Sequence, residues 1–259
     1  MKVIQRIESL LNRTSWMSQL TGSRWSALRF WLSASRNIQH IGQGHYHGTE
    51  IVFRGLDTMA LKEVLIDGEY AQVIKRLAHC NSPVVLDVGA HIGLFSLSVL
   101  KTAPTARVLS VEADGHTYEM LSRNVASLRA QGADWEAINA AGWDEDGKQL
   151  SFDGGGPSMS HRVSNNGKSF VTSITFKTLM ERLLAKAPAV DLLKIDIEGS
   201  EEAFLCAAPE LLQHVRAIVV ELHPQLCDTD RVRAALGQVY GNVEEIQNRI
   251  SSKPLLLCY

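Results

Sequence analysis

Several features are missing from this 259-residue sequence, and each absence excludes a class of protein. The four cysteines show neither a C-x-x-C motif nor metal-ligand spacing, which favours free thiols in a reducing compartment. No stretch approaches the ~20 apolar residues of a membrane span, and the N-terminal residues lack the apolar core of a secretory signal. The net charge of −2 gives no global reason to expect a nucleic-acid partner. We therefore expect a cytoplasmic protein, at most peripheral at the inner face of a membrane.

The charge is distributed unevenly, because residues 1–40 contain six basic residues and a single acidic one. Within this region, residues 3–12 and 25–32 each place apolar side chains on one face of a predicted helix. Such helices can lie on an anionic membrane surface, or they can pack against the rest of the protein or a second copy, and we favour packing. The length predicts one α/β domain at residues 49–259, preceded by a basic helical extension at residues 1–48.

The most informative stretch is VVLDVGAHIGLFSLS, residues 84–98. An apolar run typical of a buried parallel strand is followed by a glycine-containing turn and then by apolar residues at helical spacing. Strand, glycine turn and helix form the first half of a βαβ nucleotide-binding unit, in which glycines let a ligand approach the backbone closely. The turn residues expected at the ligand are Asp87, Gly89, Ala90 and Gly93.

This turn differs from the dinucleotide fingerprint, because its pattern is D-x-G-x-x-x-G rather than G-x-G-x-x-G. The carboxylate of Asp87 would repel a pyrophosphate but would tolerate a cationic ligand. S-adenosylmethionine carries an ammonium and a sulfonium group and no phosphate, so the turn favours this methyl donor as the cofactor. One alternative is a tight turn without a ligand. Another is a nicotinamide-dependent oxidoreductase, which predicts the fingerprint that this turn lacks.

A second βα unit strengthens this interpretation. Residues 107–112 are typical of a buried strand that ends in Glu112, where such units place the acid that binds the ribose hydroxyls. Residues 135–141 indicate a third strand, and its end, with Asn139 and Ala140, is expected near an adenine because small residues leave room and an amide can bond the base. Two consecutive units with an acid at the strand end predict a nucleoside-type donor site at this edge of the sheet.

Charged residues also end the fourth and fifth predicted strands, at residues 190–197 and 217–221. An interior strand of a doubly wound sheet is normally apolar throughout, yet three charges, Lys194, Asp196 and Glu198, fall within five positions at the carboxyl end of the fourth strand. Such charges need mutual pairing or a function. The candidates for catalysis are Asp196, Glu198, Glu221 and His223.

The chemistry expected of these four residues is proton removal, since an alcohol becomes a good nucleophile only when a base takes its proton. If His223 is the base, Glu221 or Glu198 would orient it. A divalent cation held by Asp196 and Glu221 is an alternative that the sequence leaves open and that we do not predict.

Smaller features complete the sequence pattern. Residues 42–48, rich in glycine, indicate a loop, and residues 144–176 indicate a hairpin-like region with several glycine turns. Residues 243–247 and 255–259 are predicted to be two last strands, one of them antiparallel. Three side chains just upstream of the glycine turn are expected to fold over the ligand: Glu63, Glu69 and Tyr70.

Four segments together resemble the FkbM-type S-adenosylmethionine-dependent methyltransferases, namely DVGAHIGLFSL, VEADGHTYEMLSRNV, KIDIEGSEEAFL and VVELHP. The resemblance runs from roughly residue 57 to residue 224 and does not cover residues 1–48. Together with the predicted alternation of strands and helices, the resemblance implies a doubly wound, Rossmann-like α/β fold of the class I methyltransferases. That fold has a mostly parallel seven-stranded sheet with an antiparallel C-terminal strand, here preceded by the N-terminal helical extension.

The resemblance also carries over site residues by position. It places Glu112 at the ribose, Asp196 and Glu198 at the edge of the reaction site, and the whole glycine turn, His91 included, at the donor. Two departures from the usual family pattern lie in the donor site. This chain has His91 where the family usually has asparagine, and Ala113 where it usually has proline.

Members of this family typically methylate hydroxyl groups on sugars, polyketides and other natural products. The resemblance therefore implies O-methylation of a small-molecule or glycan acceptor. N-methylation and a non-catalytic protein that only binds a partner remain as alternatives. Residues 1–48 would supply any peripheral membrane contact or contact between copies of the chain.

Overall fold

The structure of the protein, a computed structural model, describes residues 2–153, 162–163, 169–246 and 253–259. The chain begins with two helices and a β-hairpin, after which short helical turns lead to the central sheet. The first elements are α1 (Lys2–Thr21), α2 (Arg24–Arg36), β1 (Ile41–Tyr46), β2 (Thr49–Arg54), α3 (Thr58–Ala60) and α4 (Ala71–Ile74), with further turns at Gly55–Asp57, Leu61–Ile66 and Lys75–His79.

Strands and helices then alternate through most of the remaining chain. In order, they are β3 (Val84–Val88), α5 (Leu94–Thr102), β4 (Arg107–Glu112), α6 (Gly115–Arg129), β5 (Asp134–Asn139), β6 (Ala141–Trp143), β7 (Gln149–Asp153), β8 (Arg162–Val163), β9 (Ser169–Thr175), α7 (Phe176–Leu184), β10 (Leu192–Ile195), α8 (Glu201–Leu205), β11 (Ile218–Glu221), α9 (Thr229–Val239), β12 (Val243–Ile246) and β13 (Leu255–Cys258).

Seven of these strands form one sheet in the order β12-β13-β11-β10-β3-β4-β5, and β13 runs antiparallel to both of its neighbours. The other pairings in this sheet are parallel. The predicted fold class is therefore confirmed. Strands β4 and β5 lie on one side of β3, whereas β10 and β11 lie on the other, so the strand order reverses between β3 and β10. In such sheets, ligands bind at this switch point, beyond the carboxyl ends of the strands.

Both faces of the sheet are covered, because successive residues of its central strands enter two different buried clusters. In β3, Val85 belongs to the cluster formed with the N-terminal helices, α5 and α6, and Leu86 belongs to the cluster formed with α7 and α9. Burying a side chain of this size stabilises the fold by about 1.5–3 kcal/mol, so apolar residues dominate these strands. Charged residues at the strand ends are exceptions that need partners or a function.

The N-terminal helices pack on the β1–β2 hairpin. Phe30 of α2 meets Phe53 of β2 edge-on, with ring centroids 5.1 Å apart. Met17 and Leu20 of α1 are buried in the same cluster. Packing against the rest of the protein, the favoured alternative for these amphipathic helices, is thus present. The domain boundary at residue 48 falls in the turn of this hairpin and stays a prediction. Among the described residues, no helix is long and apolar enough to cross a membrane.

The loop predicted at residues 42–48 is wrong, because most of this segment forms β1, which pairs with β2. The two glycines within β1, Gly42 and Gly44, serve close packing rather than chain reversal. A Cβ atom added to Gly42 would lie 2.6 Å from the ring of Phe30, so only glycine lets the strand lie this close to α2. Composition alone cannot distinguish a glycine that turns the chain from one that makes room for a neighbour.

The third predicted strand is also too long. The strand β5 ends at Asn139, and residues 141–143 leave the main sheet to pair with β9 as β6. Strand β9 also pairs antiparallel with β7, so part of the hairpin-like region at residues 144–176 is observed. The glycine turns predicted at residues 154–157 and 165–167 lie outside the described residues.

Candidate active site

A cavity opens at the switch point between β3 and β10, and its empty volume, open mouth included, is about 1140 Å³. Its walls come from the ends of β3, β4, β10 and β11, the start of α5 and the segment before β3. Among the residues that the structure describes, six carboxylates but only two ammonium groups border it, which makes it attractive to cations. These charged residues are Glu63, Glu69, Glu112, Asp196, Glu198, Glu221, Lys194 and Lys253.

The glycine turn after β3 has a left-handed backbone at three positions, Gly89 (φ +79°), His91 (φ +54°) and Gly93 (φ +89°). The N–H groups of Gly89 and Ala90 both donate to the carbonyl oxygen of Val111, at 2.9 Å. These hydrogen bonds fix the turn to β4, so the backbone of the turn is held close to the cavity. A left-handed histidine is unusual and is tolerated only where the surroundings impose it.

Glu112, at the end of β4, is fixed by two backbone groups. The N–H of His91 donates to Glu112 Oε2 at 2.7 Å, and the N–H of Asp114 donates to Glu112 Oε1 at 2.9 Å. Burial raises the pKa of Glu112, although these contacts oppose the shift. An ionised carboxylate offers about four acceptor sites, so Glu112 keeps capacity for hydroxyl donors.

Four of the eight residues predicted for the donor site border the cavity, namely Gly89, Ala90, His91 and Glu112. The other four do not. Gly93 is the N-cap of α5, and Ala140 lies in the core. Asn139 donates to two carbonyls at the end of β4, at 2.8 and 3.1 Å. Because β5 ends early, Ala141 and Gly142 take the place beside the cavity that the sequence suggested for Asn139 and Ala140.

The remaining donor-site candidate, Asp87, is fully buried beneath the turn. Its Oδ2 accepts a hydrogen bond from Ser96 at 2.6 Å, and its Oδ1 lies 3.5 Å from Lys194 Nζ. Lys194 also donates to the carbonyl oxygen of Gly89 at 2.6 Å. Burial alone would lower the pKa of Lys194, but Asp87 and Asp196 raise it. The Asp87–Lys194 pair therefore fastens the glycine turn to β10.

The four residues predicted for catalysis come together at the carboxyl ends of β10 and β11, which are neighbours in the sheet. His223 Nε2 lies 3.1 Å from Glu198 Oε2 and 3.4 Å from Glu221 Oε1. Asp196 Oδ1 lies 4.0 Å from the same nitrogen. Burial and the charge of Glu221 raise the pKa of Asp196 to about 7. We call Asp196, Glu198, Glu221 and His223 the acidic group.

Glu201 is a member of this neighbourhood that the sequence did not single out. Its Oε1 lies 2.8 Å from His223 Nδ1, and it is fully buried in the first turn of α8. Burial alone would lower the pKa of His223, but Glu198, Glu201 and Glu221 raise it to about 12. His223 is therefore charged at neutral pH in this arrangement, which argues against the role of base. The sequence signal that could have identified Glu201 is its position as an acidic residue directly after the turn that follows β10.

Lys253 also contacts the acidic group and was not predicted. Its Nζ lies 2.9 Å from Glu198 Oε1 and 3.4 Å from Glu221 Oε1. No local pattern marks it, because it precedes β13, far along the chain from both carboxylates. The segment before β3 does reach the cavity as predicted, since Glu63, Glu69 and Tyr70 all border it. Burial and nearby carboxylates raise the pKa of Glu69 to about 7.

A buried ion-pair network joins the hairpin to the glycine turn. Asp57 accepts hydrogen bonds from the Arg54 side chain at 2.9 and 3.0 Å, and its Oδ1 lies 3.3 Å from His91 Nε2. Arg54 also donates to Thr117 Oγ1 at 3.0 Å. Burial alone would raise the pKa of Asp57, but His91 and Arg54 hold it well below its usual range. Asp57 is thus a structural partner of the glycine turn.

Replacing Asp57 by asparagine is expected to destabilise the protein by about 3–5 kcal/mol at pH 7, because Arg54 would stay buried without its counter-ion. A carboxyl whose pKa is lowered by folding stabilises the fold above its unfolded pKa of about 4 and loses that contribution as the pH falls. The difference between the two proteins should therefore shrink in acid. Urea unfolding at pH 7, 5 and 3.5 measures it, and a difference that is constant with pH would contradict the assignment.

Comparison with protein families decides the class of the chain. The model of the methyltransferase FkbM domain matches residues 87–245, which is more than half of the sequence. The chain belongs to the FkbM methyltransferase family. The matched segment contains the glycine turn, Glu112 and the acidic group. Asp57, Glu69 and Lys253, which complete the surroundings of the cavity, lie outside it.

Individual relatives are short or distant matches to this chain. Methyltransferase sdnD of Sordaria araneosa is 44% identical over 46 residues, which is 18% of either protein, so the chain spans less than a fifth of that relative. The METTL16 methyltransferase domain is 13% identical, with a TM-score of 0.47 over 88% of this chain and 91% of that one. A putative O-methyltransferase from Klebsiella pneumoniae is 16% identical, with a TM-score of 0.43 over 74% and 79% of the two chains.

The cavity of this FkbM-family protein has two distinct ends. Glu112 is the last residue of β4, and Glu221 is the last residue of β11. In the sheet, β3 and β10 lie between β4 and β11. With neighbouring strands about 4.8 Å apart, the two ends are separated by roughly 14 Å. One end therefore carries a carboxylate beside the glycine turn, and the other carries the acidic group.

Proposed function

We propose that this FkbM-family protein transfers a methyl group from S-adenosylmethionine to a hydroxyl group of a sugar, a glycan or another natural product. The observation that carries the proposal is the two-ended cavity, with Glu112 and the glycine turn at one end and the acidic group at the other. The resemblance to enzymes that methylate hydroxyl groups favours an alcohol as acceptor.

The donor end has the chemistry that S-adenosylmethionine requires. Glu112 is held by two backbone N–H groups in a position to accept hydrogen bonds from ribose hydroxyls. Gly89, Ala90, Ala141 and Gly142 border the cavity with little or no side chain, which leaves room for a flat base. The excess of carboxylates suits a ligand with sulfonium and ammonium charges and opposes a pyrophosphate.

The acceptor end supplies the groups that a hydroxyl needs. When bound, the donor supplies an electrophilic methyl group, and the nucleophile must lie in line with it, so much of the acceleration comes from positioning. Asp196 borders the cavity at the end of the central strand β10, and we propose that its carboxylate receives the hydroxyl proton. Lys194 and Lys253 partly balance the acids around it.

One alternative has a specific observation in its favour. Glu63 and Glu69 border the cavity in addition to the acidic group, and such carboxylates would also attract the ammonium form of an amine acceptor. A panel of matched alcohol and amine acceptors, with the product identified by mass spectrometry, separates O-methylation from N-methylation.

Calorimetric titration with S-adenosylmethionine tests the donor site. We expect micromolar binding, no heat with NAD, and a loss of about tenfold or more in affinity for Glu112→Gln, because a hydrogen bond to a charged group contributes about 1.5–3 kcal/mol. The matched control is Glu50→Gln, the same carboxylate-to-amide change at an exposed residue of β2 outside the cavity. This variant should bind S-adenosylmethionine with the affinity of the wild type.

Two results would contradict the donor site. Folded wild-type protein that does not bind S-adenosylmethionine would overturn the proposal as a whole. Equal affinity of the wild type and Glu112→Gln would remove Glu112 from the donor site while leaving the cofactor in place.

Contact with a membrane stays a prediction for the N-terminal region. Trp25 and Leu32 of α2 are 68% and 51% exposed, and the following Ile38 is 60% exposed. Arg24 and Arg29 are exposed on the same helix, where their positive charges would be attracted to an anionic membrane surface.

A further inference from the structure

Two buried polar atoms face each other in the acidic group without a hydrogen bond. Within the described residues, neither His223 Nε2 nor Asp196 Oδ1 has a hydrogen-bond partner, and the two atoms lie 4.0 Å apart. The carboxylate of Glu198 is 3.1 Å from His223 Nε2 but is not aligned for a hydrogen bond. Because His223 is only 3% exposed and buried polar atoms normally have partners, this arrangement needs an explanation.

The spacing of three side chains matches that of metal ligands. One ligand atom from each of Asp196, Glu221 and His223 lies within 4.8 Å of the other two. Ligands bound at about 2.1 Å to the same divalent ion are about 3–3.5 Å apart when they are neighbours. The observed distances from His223 Nε2 are 3.4 Å to Glu221 and 4.0 Å to Asp196, so a modest inward movement would complete the set.

Glu201 orients the imidazole for this role. Its Oε1 lies 2.8 Å from His223 Nδ1, and its carboxylate accepts further hydrogen bonds from Gly199 N–H at 3.0 Å and Cys227 Sγ at 3.2 Å. Metal-binding histidines usually donate their second ring N–H to a carboxylate or carbonyl. With Nδ1–H donated to Glu201, a bound divalent ion would replace the proton on Nε2, and the lone pair of Nε2 would then face Asp196 and Glu221.

We infer that Asp196, Glu221 and His223 bind one divalent metal ion of the Mn²⁺ type at the acceptor end of the cavity. Two carboxylate oxygens and one imidazole nitrogen suit Mn²⁺ better than Ca²⁺, which takes oxygen ligands. Lys253 is the competing cation, since it lies 3.4 Å from Glu221, and an ion there would leave it paired with Glu198 at 2.9 Å.

The chemical role of the ion depends on the proposed function. A hydroxyl bound to a divalent ion is more acidic, so its proton leaves at neutral pH more readily. With the ion held by Asp196 Oδ1, the O–H bond would break and its proton would pass to Asp196 Oδ2. The oxygen would form a bond to the methyl carbon that the donor supplies as the carbon–sulfur bond broke, and the sulfonium would become a neutral thioether.

The test titrates full-length, chelator-treated protein with Mn²⁺ and follows bound ion by electron paramagnetic resonance. We expect one bound Mn²⁺ per chain and spin-echo modulation from a coordinated imidazole nitrogen. His223→Gln should abolish that modulation, and both His223→Gln and Asp196→Asn should weaken binding by at least about tenfold. Asp196 is partly exposed, so its variant keeps the test valid if the buried histidine variant fails to fold. Glu50→Gln removes an exposed carboxylate outside the cavity and should leave binding within about twofold.

The outcomes separate the ion from the methyltransferase. No stoichiometric Mn²⁺ binding by folded protein, or equal weakening by Glu50→Gln and Asp196→Asn, would overturn the metal site. Full methyl transfer by metal-free protein would overturn the ion and support the proposed function. If the protein binds Mn²⁺ through His223 but does not bind S-adenosylmethionine, the result would support the metal site and overturn the proposed function.

Discussion

Replacing Asp196 by asparagine is expected to lower the rate of methyl transfer by about 10²–10⁴-fold, the range typical for loss of a group that moves a proton in the transition state. Asparagine has nearly the same shape but cannot take a proton. Affinity for S-adenosylmethionine should change little, because Glu112 and the glycine turn form the other end of the cavity. The measurement is the steady-state rate with the acceptor found in the panel, together with a calorimetric titration of the donor.

Glu63→Gln is the matched control for Asp196→Asn, because it also removes one negative charge from the cavity wall. Its rate should stay within about threefold of the wild type, as expected for a charge that is not at the reacting atoms. A rate for Asp196→Asn within threefold of the wild type would remove Asp196 from catalysis. Equal losses in both variants would indicate that only the total charge of the cavity matters.

Replacing Gly89 by alanine is expected to destabilise the protein by about 2–5 kcal/mol, from a left-handed backbone and a clash together. Gly89 has φ +79°, and a Cβ atom there would lie 1.7 Å from the backbone oxygen of Asp196. Backbone atoms cannot rotate away as a side chain can, so β3 and β10 would have to separate at their carboxyl ends. The same change would displace Asp196, so the remaining folded protein should also lose methyl transfer.

Gly132→Ala isolates the strain of the backbone from the clash. Gly132 has φ +94°, and nothing lies within 4 Å of a Cβ atom added there. This variant should lose only about 1 kcal/mol, the approximate penalty for alanine in a left-handed conformation. Urea unfolding of both variants and the wild type gives the comparison. Equal losses at the two glycines would show that β3 and β10 can move apart to accommodate the alanine side chain without any further loss of stability.

Several parts of this fold could be predicted because their signals are local. The apolar run at Val84–Leu86 and the glycines after it mark a strand and a turn from neighbouring residues alone. Charges at the ends of β4, β10 and β11 stood out against the apolar pattern. Parallel strands bring their carboxyl ends to one edge of the sheet, so the meeting of Asp196 and Glu221 followed from strand direction without knowledge of distances.

Other parts depended on contacts between residues far apart in the sequence. Asp87 was expected at the ligand, yet the register of β3 beside β10 places it next to Lys194, beneath the turn. The glycines of β1 resembled a loop because their true neighbour, Phe30, belongs to another element. Asp57 and Lys253 carry no local sign of their roles, since each acts on partners that other elements bring to it.

The sequence by itself determined the order along the chain of the strands of the seven-stranded sheet, the position of the glycine turn and the acids at the strand ends, because periodicity and turn chemistry operate over a few residues. Only the tertiary structure decided which charges face the cavity and which are buried in pairs. A side chain's partners depend on strand register and on packing across the sheet, and these distances are not encoded in the spacing of residues along the chain. Asp87 and Asp196 show this difference. Both lie at the ends of neighbouring strands, but one is buried against a lysine and the other borders the cavity.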